Sequence, residues 1–157
     1  MEAAEWAERK VGQIGAKREA EMLRDQLNLK RQQLRESHFQ ALTESVFNAF
    51  CCGCKEYNKR RASGDSAIEF HIGRISILKR DAGWSEIWVE RNPGTLSIRV
   101  RANQCSFRFD RTYRPEPLAD GTVVLFCRET QSLSSPEDVA LGAIDVFLDG
   151  REWGERL

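Results

Sequence analysis

Apolar residues along this chain change their spacing near residue 60. Before that point they recur at three and four, the period of a helix. Beyond it they recur at two, the period of a strand. The first proline is Pro93, and residues 16–50 contain neither glycine nor proline. The pattern predicts an α+β chain: a long N-terminal helix, an antiparallel five- to six-stranded meander sheet, and a short C-terminal helix packed on the same sheet face.

The helical stretch divides in two. Ala20, Leu23, Leu27, Leu34 and Ala41 follow a heptad, while Lys30 and Ser37 interrupt the other seam. About three heptads are near the lower limit for a coiled coil. Past Ser37, the residues Phe39, Leu42, Val46, Phe47 and Phe50 make a dense apolar face fit to pack on a sheet. Residues 16–50 would span roughly 50 Å as a helix, so part of it is expected to project. Gly53 is expected to end the helix near Cys52, with the basic run Asn58–Gly64 as an exposed linker.

Strands are then expected around Ile68–Ile77, with Gly73 as a bulge, and at Trp84–Glu90. Next come Leu96–Val100, Cys105–Asp110 and Thr122–Cys127, the last apolar on both sides. Asn92-Pro93-Gly94 is a turn signal, and Pro115 and Pro117 are read as part of a longer connection. Ser135 caps the final helix, Pro136 occupies its first position, and Glu137 and Asp138 suit its positive end. Val139, Ala140, Ala143, Ile144, Phe147 and Leu148 form its inner face, and Asp149-Gly150 closes it. In domain terms, residues 1–57 form a helical arm whose second half packs on the sheet. Residues 66–150 form the sheet with the C-terminal helix, and residues 151–157 form a tail.

Composition changes this picture little. The chain has 157 residues, 41% hydrophobic and 31% charged, with zero formal net charge. That is too apolar for a disordered chain and rich enough in charge for a solvated helix. No segment has the basic balance of a dedicated nucleic-acid binder. The absence of a long apolar run and of an apolar leader leads to the expectation of a cytoplasmic protein without a membrane span. Five cysteines, three of them at positions 51, 52 and 54, argue against a disulfide framework.

Three sets of residues invite chemistry. Leu23, Leu27 and Leu34 form a stripe with no partner foreseen within the chain. They suit a second copy or another protein, and full burial of three leucines is worth on the order of 5 kcal/mol. Arg99, Arg101 and Arg108 alternate outward from two adjacent expected strands, where guanidinium groups grip phosphates or carboxylates and can serve single-stranded nucleic acid. Glu86, Glu90 and Asp110 are placed to pair with them across strands, which makes a wetted charged face the plainer reading. Cys51 and Cys54 have the spacing of a metal knuckle or redox pair. Zinc would need two more ligands, and a redox motif opens a helix rather than closing one. Cys105 and Cys127 read as core thiols.

No nucleophile elbow, phosphate loop or HExxH motif occurs, and nothing motivates a cofactor. The sequence therefore points first to a non-enzymatic protein–protein interaction or assembly module that self-associates or binds a partner through its N-terminal helix. The second reading is an anionic-ligand or single-stranded nucleic-acid binder on the arginine face. The third is a cysteine-dependent metal or redox protein.

Overall fold

The computed structural model describes residues 2–64, 67–68, 86–101 and 107–149, leaving aside the side chains of 107–109 and 149. The expected first strand, its Gly73 bulge, Trp84, Cys105 and the tail lie outside the described residues. The order of elements is α1 (Ala3–Arg60), β1 (Glu86–Asn92), β2 (Thr95–Arg101), β3 (Phe107–Pro117), β4 (Val123–Cys127), β5 (Ser132–Ser134) and α2 (Pro136–Asp149). The strands form one antiparallel sheet in the order β1-β2-β3-β4-β5. This is the α+β arrangement that the spacing predicted. The chain divides into two compact units, Met1–Leu34 and Arg35–Leu157.

In the second unit, alternation along the strands selects one apolar sheet face. Ile87, Leu96, Ile98, Val100, Tyr113, Leu125 and Cys127 are buried on it. Val46, Phe50 and Cys54 of α1 and Val139, Ala140, Ala143, Ile144, Val146 and Phe147 of α2 complete the same core. Glu116 reinforces the seating of α1. Its carboxylate receives Arg35 at 2.9 Å and Arg114 at 3.7 Å. The Arg91 guanidinium lies 5.4 Å from the centre of the Phe39 ring.

Several boundaries differ from the expectation. Residue α1 Gly53 does not end the helix, which runs on to Arg60. A Cβ at Gly53 would stand 2.8 Å from Ile144 Cδ1 and 3.0 Å from Leu141 Cδ2. The glycine therefore lets α2 approach α1 closely. Nor is the run after it a free linker. Asn58 donates from Nδ2 to the Ile68 carbonyl at 2.7 Å and accepts the Ile68 amide at 2.9 Å, which ties the chain back to the end of α1.

Strand β3 runs through both prolines instead of stopping at Asp110. Its pairing with β2 ends at Leu96–Tyr113, while pairing with β4 continues through Pro115–Leu125 and Pro117–Val123. Beyond Tyr113, among the described residues, β3 is paired on one side only, and an unpaired side tolerates the missing amide protons. Strand β5 has only three residues, too few for alternation to announce. Gln131, at φ 57°, turns the chain into it, with its amide donating to the Cys127 carbonyl at 3.0 Å.

The remaining turn chemistry matches expectation. Pro93 and Gly94 form the two-residue loop between β1 and β2, with Gly94 at φ 73°. At the start of α2 the Asp138 amide donates to Ser135 Oγ at 3.1 Å, and that hydroxyl donates to Asp138 Oδ2 at 2.9 Å.

Three substitutions separate the roles of the glycines. Gly53→Val is expected to destabilise the second unit by about 1–3 kcal/mol through overpacking against Ile144. Gly53→Ala is expected to be near neutral, because the gain in helix propensity of about 1 kcal/mol offsets a small movement of a flexible Ile144 terminus. Urea denaturation would read both; equal effects of Ala and Val would remove the close-approach account. Gly94→Ala is expected to cost about 1–2 kcal/mol, because alanine resists the left-handed conformation.

Candidate interaction surfaces

In the first unit every side chain from Glu2 to Gln33 is exposed. Helix α1 forms there from strong helix formers, and it carries Trp6, Val11, Ile14, Met22, Leu23, Leu27 and Leu29, each more than half exposed. Among the described residues of the larger second unit, the exposed large hydrophobics are Trp88, Leu133 and Leu141. Exposed apolar bulk is therefore concentrated where the chain is shortest of core, and contiguous apolar surface of this kind marks contact sites.

Leu23 and Leu27 stand 59% and 54% exposed, whereas Leu34 is half-buried. Helical geometry puts Ala16, Ala20, Leu23, Leu27 and Leu34 on one stripe. Val11, Met22 and Leu29 fall on the opposite side of the helix, a second set that the heptad reading passed over. The signal was present, since Met22 and Leu29 are seven apart. Gly15, Arg18 and Asp25 break that stripe, so it has no continuous three-four spacing.

Arg99 and Arg101 sit on the sheet face away from the core. Arg99 lies opposite Asp110 on β3 and Trp88 on β1, and its guanidinium approaches Asp110 to 3.7 Å. Arg101 lies opposite the buried Glu86. Acidic groups thus stand in register with both. Arg108 occupies the irregularity in β3 opposite the Val100–Arg101 step, where pairing passes from Phe109 to Phe107. Its side chain lies outside the described residues. Arg114 is engaged as well, with its guanidinium 4.9 Å from the Phe126 ring centre.

Cys51 and Cys54 lie one helical turn apart inside α1, not at its end. Cys54 is buried in the core and Cys51 is half-buried, while Cys52 is exposed. Burial, and secondarily Cys51, pushes the Cys54 thiol up to about 11. The cause is desolvation rather than a helix terminus, and it suppresses the thiolate that metal binding or redox exchange needs. Among the described residues, no group of three or more His, Cys, Asp or Glu side chains is arranged to hold a metal ion.

Clefts open among the described residues of the second unit. One of about 460 Å³ lies between the β3–β5 end of the sheet and α2, lined by Arg111, Tyr113, Cys127, Asp138, Val139 and Leu141. Burial, with Cys127 adding to it, raises the Tyr113 phenol well above its ordinary value. Beside this cleft the Cys127 thiol donates to Glu129 Oε2 at 3.5 Å, and the Thr112 amide donates to the same oxygen at 2.7 Å. Burial alone would raise the Glu129 carboxyl, but these hydrogen bonds hold it below the usual value. The second cleft, about 680 Å³, runs between α1 and the start of α2 beside Ala49, Cys52, Gly53 and Pro136.

Thiol accessibility is directly measurable. With its thiol near 11, Cys54 is thiolate in only about one molecule in a thousand at pH 8. Iodoacetamide is expected to modify Cys52 first and to leave Cys54 and Cys127 intact while the protein is folded, as read by peptide mass mapping. Modification of Cys54 as fast as Cys52 would remove the core assignment.

No protein-family model matches the chain, no curated protein is similar to it, and no solved structure matches its fold.

Proposed function

We propose that the chain is a non-enzymatic assembly module that associates with another polypeptide through the N-terminal part of α1. One observation carries this reading: Leu23 and Leu27, on a stripe continued by Ala16, Ala20 and Leu34, lie exposed on a helix with no covered side chain before Leu34. A helix that is exposed all round gains little from propensity alone, and helices in proteins draw most of their stability from packing an apolar face. Covering the leucines supplies that packing, at roughly 1.5–3 kcal/mol for each one fully buried.

The other surfaces support a role without chemistry. Asp110 and Glu86 stand opposite Arg99 and Arg101, so the arginine face is compensated locally, and phosphate would have to displace these acids. The described cysteines are free thiols, in keeping with a reducing compartment and therefore with a cytoplasmic setting. No helix among the described residues is long and apolar enough to cross a membrane.

Light scattering on the full chain tests the reading. The wild type is expected to run above monomer mass at micromolar concentration, and Leu27→Asp is expected to return it to monomer with unchanged near-ultraviolet circular dichroism. A wild type that remains monomeric would remove self-association. A Leu27→Asp variant with undiminished mass would remove the leucine stripe as its basis.

A further inference from the structure

The exposed stripe of α1 has two flanks, and their charges differ. Along one side of Trp6, Gln13, Ala20, Leu27 and Leu34 run Lys10, Lys17, Arg24 and Arg31, all basic. Along the other run Glu5, Gly12, Glu19, Gln26 and Gln33, with no base among them. All of these flanking residues are helical and exposed. We propose that the occupant of the stripe is a second copy of this chain, lying parallel and in register. This rests on the reading of the leucine stripe as a contact surface.

The argument is geometric. In a parallel two-stranded coiled coil, a residue on the flank preceding the seam meets the residue five positions later on the following flank of the partner. Here that offset joins Glu5 to Lys10, Glu19 to Arg24, Gly12 to Lys17 and Gln26 to Arg31. On the flanks each acid meets a base and no like charges meet, while at the seam Arg9 and Lys30 each face their own copy. In an antiparallel pair the flanks meet their own kind, so the Lys10–Arg31 row would face an identical basic row. Complementarity of the flank charges therefore favours a second copy in the parallel direction. The opposite set, Val11, Met22 and Leu29, has no comparable frame, because Gly15, Arg18 and Asp25 interrupt it.

Seam composition bears on strength and register. Ala16, Ala20, Leu23, Leu27 and Leu34 supply apolar contacts, while Arg9, Gln13 and Lys30 fall at seam positions. Polar residues there weaken a coiled coil and penalise shifted alignments that would set them against leucine. The dimer is accordingly of modest affinity and defined register.

Two measurements on the full chain test this, with Cys51 and Cys52 replaced by serine to lower the background. Ala20→Cys and Lys30→Cys are each oxidised at micromolar concentration and run on a non-reducing gel. A parallel in-register pair cross-links copy to copy at both positions. An antiparallel pair does so at one position at most, since the two lie ten residues apart along the helix. Separately, Arg24→Glu is expected to weaken the dimer about tenfold in sedimentation equilibrium, because two attractive pairs become repulsive. Adding Glu19→Arg should restore it. In an antiparallel pair Arg24→Glu would instead tighten association.

Cross-linking at one position only, or tightening by Arg24→Glu, overturns the parallel dimer and leaves the leucine contact standing if Leu27→Asp still dissociates it. A monomer in every measurement overturns both.

Discussion

The second unit depends on covering one face of a small twisted sheet. Burial of apolar area is the dominant favourable contribution to folding, and here a single core collects it. Val46, Phe50 and Cys54 come from α1, and Val139, Ala140, Ala143, Ile144, Val146 and Phe147 from α2. Both helices must lie close to one another to cover so narrow a sheet, and Gly53 allows that by presenting no side chain to Ile144 and Leu141. The polar contacts of Glu116 with Arg35 and Arg114 and of Asn58 with Ile68 fix position around that core rather than supply its main stabilisation.

The same constraint separates the two halves of α1. Residues from Phe39 onward alternate between covered and exposed positions at helical spacing, as a helix on a sheet requires. Residues Glu2 to Gln33 are exposed at every position, whatever their polarity. A side chain such as Leu27 on such a helix contributes to the fold only when something outside it removes water. The functional reading follows from that asymmetry. In the proposed dimer the basic flank of one copy lies along the flank of the other that carries Glu5 and Glu19.

The arginine face shows why residue type alone does not identify a ligand site. Strand alternation places Arg99 and Arg101 on the outer face, but alternation on the neighbouring strands places Asp110 and Glu86 opposite them. A row of cations interleaved with anions is a pairing pattern within the sheet before it is a surface for phosphate. The cysteines make a similar point. The spacing of Cys51 and Cys54 fits a ligand pair, yet in a helix the same spacing places them on one face, and that face is directed to the core.

The amino-acid sequence by itself determined the α+β class, the buried faces of both helices, the Pro93-Gly94 turn and the Ser135 cap. Each of these rests on contacts a few residues apart, where period and turn chemistry act directly. Tertiary structure decided what depends on distant neighbours. Gly53 stays helical and gives α2 room to pack against it, although glycine at a helix end is the commoner local signal. Pro115 and Pro117 stay in β3 because β2 stops short of them, so among the described residues no ladder bond is lost. The irregularity at Arg108 arises between paired strands and has no mark in the alternation of either. Leu23, Leu27 and Leu34 share a stripe in the sequence, but their unequal exposure is a property of the folded surroundings, since spacing specifies a face and not what covers it.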